Sequence, residues 1–117
     1  MITEKQKMTT GQRYRNSHPE LVAERRHAQS LVDEFNTTRD GAVIARLFGS
    51  IGEGSRVMPR FQRDHGYQIH LGSDSFLDYD AILMDCATIP VGDDVSIGPR
   101  AQLLTAPHPV QDHEARR

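Results

Sequence analysis

The chain has 117 residues, 37% hydrophobic and 26% charged, the composition of one globular domain with a modest core. Fourteen Lys and Arg against sixteen Asp and Glu leave a formal net charge of -2 with no block of like charges, which excludes a nucleic-acid-binding or membrane-surface arm. The apolar runs are short and the N-terminus is polar, so no transmembrane span or signal peptide is predicted, and the single cysteine, Cys86, excludes an internal disulfide and fits a reducing, cytoplasmic setting.

Residues 1–50 carry helix punctuation. Thr3 with Gln6 forms a capping box for a short first helix, and Ser17 with Glu20, Pro19 lying in the first turn, predicts the start of a second. Leu21, Ala28, Leu31, Val32 and Phe35 then fall on one helical stripe, with charged residues on the remaining surface, and that helix is expected to end near Asn36. Asp40 is the expected N-cap of a third helix running through Leu47 and Phe48, with Gly49 placed to stop it.

From Ile51 onward the period changes. Ile51-Gly52, Leu71-Gly72 and Val91-Gly92 are three starts spaced by twenty residues, and each twenty contains a finer step of six. Leu71, Leu77 and Leu83 are echoed by Val91, Ile97 and Leu103; Ile51 and Val57 begin an earlier set whose third member is Arg63. The fifth place of most hexapeptides is small, as at Ser55, Ser75, Ala81, Ala87 and Ala101. An aliphatic first place and a small fifth place are the hexapeptide signature of a parallel β-helix, whereas an antiparallel sandwich would show period two and hairpin dipeptides. Gly52, Gly54, Asp74, Asp80, Asp93, Asp94, Gly98 and Pro99 stand at the expected corners. The stretch Asp64-His65-Gly66-Tyr67 breaks the first coil and reads as a loop or a site.

These residues carry a family resemblance. Lys7-Met8, Gly11, Tyr14, the run from Pro19 to Arg26, and Phe35-Asn36 resemble the helical cap of the maltose and galactoside O-acetyltransferases. Phe48 to Gly52, Gly66 to Gly72, Ile97-Gly98-Pro99 and Thr105 to Pro109 resemble their hexapeptide-repeat body. The resemblance implies a mainly β fold, a left-handed parallel β-helix over residues 51–117 behind a helical cap over residues 1–50. It implies a homotrimer with active sites between subunits and acetyl transfer from acetyl-CoA to a sugar hydroxyl. Family chains continue past the His-Pro motif into coils that line the pantetheine channel. The expectation is therefore a truncated chain of about three coils with weak acetyl-CoA binding and its cofactor-binding residues missing.

The resemblance makes His108 the general base, a role that suits a neutral imidazole with a pKa near ~6.5. Acceptor-binding positions carried over from the family are Asn16, Arg25, Asp64, Phe76, Asp78 and Asp85. Each has a plainer reading: a corner residue for Asp85, a loop carboxylate for Asp64, a solvent-facing helix charge for Arg25, outward packing for Phe76. Asp78 departs from the family's asparagine, and a carboxylate accepts where an amide can donate. Cys86 reads as a small corner or core residue. Two other functions compete: an inactive fragment or non-catalytic subunit, and a zinc carbonic anhydrase-like β-helix in which His65 and His70, or His108 and His113, would be ligands. The five-residue spacing of those histidines is weak evidence, and no metal is expected.

Overall fold

The computed structural model describes residues 2–105. Three helices come first, α1 (Glu4–Thr9), α2 (Pro19–Thr38) and α3 (Gly41–Leu47). Nine short strands follow: β1 (Ser50–Ile51), β2 (Arg56–Val57), β3 (Phe61–Arg63), β4 (Ile69–Leu71), β5 (Phe76–Leu77), β6 (Ala81–Met84), β7 (Ile89–Val91), β8 (Ser96–Ile97) and β9 (Gln102–Leu104).

The helix starts follow side-chain chemistry. Thr3 and Gln6 form a reciprocal capping box on α1. The second start differs from the expectation: the N-cap is His18, whose imidazole accepts from the Glu20 N–H, and Pro19 takes the first helical position. A ring nitrogen thus does the work expected of the Ser17 hydroxyl. The helix also runs two residues past Asn36, to Thr38, and closes on Arg39 in the left-handed conformation at φ 62°. Asp40 caps α3 through the Ala42 N–H, as its position predicts.

The strands form three parallel three-stranded sheets, ordered β1-β4-β7, β2-β5-β8 and β3-β6-β9. Successive strands take the three sheets in rotation, so the chain winds as a coil with three flat sides. Ser50 pairs with His70, His70 with Pro90, Arg56 with Phe76 and Leu83 with Leu103, a constant offset of twenty residues. The twenty-step in the sequence is therefore one turn of the coil, and the six-step is one side.

Leu71, Leu77 and Leu83 are buried at the centre of the prism, with Ile51, Val57, Val91, Ile97 and Leu103 packed against them from the coils below and above. Residues two before these rungs, Phe61, Ile69, Ala81 and Ile89, are buried as well, as the period-two alternation of a strand requires. Glycine after the aliphatic rung has a packing cause: a Cβ on Gly72 would run into the backbone of Gly92 in the next coil, and one on Gly52 into Gly72 and Ser73. The small fifth place builds a ladder. Ser55 Oγ bonds to the Gly72 carbonyl and accepts from the Ser75 N–H, and Ser75 Oγ bonds to the Gly92 carbonyl at 2.6 Å and accepts from Val95 at 3.0 Å.

The helices cover the first coil. Leu31, Val32 and Phe35 of α2 and Val43, Ile44 and Leu47 of α3 join one apolar cluster with the coil's core. The Asn36 amide clasps β3 by accepting from the Phe61 N–H at 2.9 Å and donating to its carbonyl at 3.2 Å, which satisfies a strand edge that would otherwise be open. Arg63 occupies the inward rung where an aliphatic is expected, in register with Leu83. It is tolerated because its guanidinium reaches α2, donating to the Arg25 carbonyl at 3.3 Å and to Gln29 at 3.1 Å.

Candidate functional site

The corner between β3 and β4 is longer than its counterparts, and it lies against α1, α2 and the segment between them. Asp85, in the corner above, is fully buried and organises it. Its carboxylate accepts from the N–H groups of His65 at 2.7 Å, Gly66 at 2.7 Å and Gln68 at 3.0 Å. Gly66 turns there with φ 98°, a conformation that favours glycine, and a Cβ on it would strike Leu47. The Gln68 amide ties the two corners together, donating to the Cys86 carbonyl at 2.9 Å and accepting from the Thr88 hydroxyl at 3.1 Å.

On this frame the structure brings together four of the residues read as acceptor-binding. Arg25 of α2 donates to the Asn16 side chain at 2.9 Å and to its backbone carbonyl at 2.6 Å. Asp64 accepts from the Cys86 thiol, Oδ2 to Sγ 2.6 Å. Asp85, with both oxygens engaged and no exposed surface, holds the loop in place. Phe76 and Asp78 belong to another side of the prism. Phe76 lies half-buried on β5 beside the inward Leu77, and Asp78 stands at the next corner, where its carboxylate accepts from the Tyr79 N–H at 2.8 Å. His108 lies outside the described residues, as does His113.

Three further members of the cluster, Tyr14, His65 and Cys86, were not among the acceptor-binding candidates read from the sequence. Tyr14 is half-buried beside Cys86, and burial, then its hydrogen bond to that thiol, pushes its phenol well above the ordinary value. Burial first, then Asp64, pushes the Cys86 thiol up to about 12, so it stands protonated and is no nucleophile at neutral pH. His65 is 2% exposed, neither ring nitrogen has a hydrogen-bond partner among the described residues, and burial lowers its pKa. Its ring lies 5.5 Å from that of Tyr67, over which Lys5 places its ammonium at 4.6 Å. In the repeat pattern, the break at 64–67 marks this corner.

Asp64, His65 and Cys86 are the only trio of metal-ligating side chains gathered among the described residues. His70 is not part of that trio, and its Nδ1 is 2.8 Å from the Ser50 hydroxyl. Among the described residues no helix is long and apolar enough to cross a membrane.

The architecture is that of a hexapeptide-repeat protein with helices at its N-terminal end, and comparison with known proteins gives it a family setting. Residues 7–52 match the family model described as the maltose acetyltransferase hexapeptide capping motif. Nodulation protein L of Rhizobium meliloti is 33% identical over 98% of this chain and 66% of its own length. A maltose O-acetyltransferase from Clostridium difficile superposes with a TM-score of 0.92 and 36% identity, over 98% of this chain and 64% of that one. A hexapeptide-repeat acetyltransferase of Vibrio cholerae, solved with acetyl coenzyme A, gives 0.88 and 33% over 99% and 65%. The resemblance to the maltose and galactoside O-acetyltransferases thus holds along the described chain. The chain spans 62% and 66% of the length of the first curated relatives it matches.

Proposed function

We propose that this chain is part of an acetyl-CoA-dependent O-acetyltransferase that moves an acetyl group to the hydroxyl of a sugar. The observation that supports it most is the superposition of nearly the whole chain on a maltose O-acetyltransferase, with the capping motif of that family at residues 7–52. Acetyl-CoA as the donor is supported by the Vibrio cholerae relative, solved in complex with it. In this reading the coil is left-handed, residues 1–50 act as its cap and residues 51–117 as its body, and three copies assemble with active sites between them in the cytoplasm.

His108 is assigned as the general base. Its neutral imidazole takes the proton from the sugar hydroxyl as that oxygen attacks the thioester carbonyl. The carbon–sulfur bond then breaks, the acetyl ester forms, and the proton passes to the departing coenzyme A thiolate. Asn16, Arg25 and Asp64 offer the acceptor an amide, a guanidinium and a carboxylate around one corner, a set suited to a ring bearing several hydroxyls. Asp85 is a positioning residue for that corner. Phe76 and Asp78, on a different side of the prism, are assigned to a site completed by a neighbouring copy. As a carboxylate Asp78 accepts only, so it is matched to a hydroxyl of the sugar and not to the oxyanion.

The test is release of free thiol from acetyl-CoA by the full natural protein over a panel of simple sugars and glycosides. The expected result is release that needs a sugar and falls by at least about a hundredfold in His108→Ala. Release that is indifferent to the sugar, or undiminished in His108→Ala, contradicts the proposal.

A further inference from the structure

We propose that Asp64, His65 and Cys86 form a binding site for a divalent transition-metal ion of the zinc type, held by a carboxylate oxygen, an imidazole nitrogen and the cysteine sulfur. The three ligating atoms lie within 4.8 Å of one another. Two come from the long corner after β3 and the third from the corner stacked directly above it, so the coil's own register brings them together. Four ligands at bonds of about 2.0–2.3 Å around a tetrahedral ion stand roughly 3.3–3.8 Å apart, so the thiol and Asp64 Oδ2, now 2.6 Å apart, would part slightly around the ion, an adjustment of the size side-chain rotation supplies.

His65 is the second, independent observation. It is almost fully buried, and neither of its ring nitrogens has a partner among the described residues, a costly arrangement for an imidazole. A metal ion would take one of those nitrogens as a ligand. The site's backbone is already fixed, because Asp85 holds the amides of His65, Gly66 and Gln68, and Gln68 holds the carbonyl of Cys86. Such bracing of ligand-bearing segments is what tunes metal sites elsewhere.

The donor set selects the ion. Sulfur and nitrogen favour zinc, cobalt and their neighbours, while magnesium and calcium want oxygen alone. Binding exchanges the Cys86 thiol proton for a metal–sulfur bond, the proton leaving to solvent, so Asp64 and the thiolate together match a charge of two. Asp64, Asp85 and Glu24 add negative charge around His65, against Arg25, which is tied to Asn16. Tyr14 and Asp64 at the rim of the cluster are only half-buried, so a fourth ligand would be a water or another oxygen entering from that side. The inference does not rest on the transferase reading.

The experiment is a cobalt titration of the tag-free, metal-free full chain, followed by absorption and then by zinc competition. One cobalt per chain is expected, with a near-ultraviolet sulfur-to-cobalt charge-transfer band that zinc abolishes. The band should be lost in Cys86→Ser, and affinity should fall by at least about tenfold in both Asp64→Asn and His65→Phe. Asp64 is half-buried at the corner, so Asp64→Asn is expected to fold even where Cys86→Ser does not, and zinc should raise the melting temperature of the wild type but not of Asp64→Asn. Absence of the charge-transfer band in the wild type overturns the proposal. So does unchanged affinity in Asp64→Asn and His65→Phe, which would place the ion elsewhere on the surface.

Discussion

Asp85 shows how one side chain can make a corner. Its two oxygens serve three backbone amides with no water to replace them, so loss of the carboxylate leaves buried donors unpaired. Asp85→Ala is expected to destabilise the protein by about 2–4 kcal/mol, read as a lower urea midpoint at unchanged slope. His65 supplies the pH dependence. Burial lowers its folded pKa below the unfolded value of ~6.5, so the unfolded chain takes up the proton first. Metal-free protein should lose stability as the pH falls from about 7 through ~6.5 toward the folded pKa, with Asp64, Asp85 and Glu24 limiting the loss and Arg25 adding to it. Melting temperatures of His65→Phe over the same range should be flatter than those of the wild type.

At the scale of elements, the left-handed positions decide where helix and coil turn. Arg39 closes α2 at φ 62°, a conformation that glycine adopts without penalty. Arg39→Gly is expected to raise stability by about 0.5–1 kcal/mol, measured by thermal or urea unfolding. Gly72 is the reverse case. A Cβ there meets the backbone of the next coil, which cannot give way cheaply, so Gly72→Ala should cost about 1–3 kcal/mol.

The rungs Leu71, Leu77 and Leu83 were legible in the sequence because a stacked coil repeats its chemistry at a fixed step, and the step is covalent. The corners were partly legible: Asp74, Asp80 and Asp94 do take positive φ, but so does Arg100, a residue type with no turn signature. The cap of α2 falls on His18 and not Ser17 because Pro19 takes the first helical position, where its missing N–H costs nothing, and an imidazole can accept from an amide as a hydroxyl can.

In the whole molecule, the candidate site lies where the helices meet two stacked corners, and this was the least legible part. Arg63 looked like a fault in the repeat, yet its guanidinium links the coil to α2 at Arg25 and Gln29. Tyr14 and Cys86 lie far apart in the chain and share no period, so only folding brings them beside Asp64. Asn16, Arg25 and Asp64 came from the family resemblance, and their gathering around one corner is a property of the tertiary structure. Phe76 and Asp78 sit on another side of the prism, which fits the proposed assembly of three copies. Light scattering of the full natural protein is expected to give the mass of a trimer; a monomer would leave those two residues without the neighbour that the account assigns them.

The most direct test of the account is steady-state kinetics of Arg25→Ala in the full natural protein, with sugar and acetyl-CoA varied in turn. Loss of a charged hydrogen-bonding group from an acceptor site predicts a rise of about tenfold or more in the KM for the sugar, with the KM for acetyl-CoA unchanged. An unchanged KM for the sugar, or a rise confined to acetyl-CoA, would contradict the placing of the acceptor at this corner.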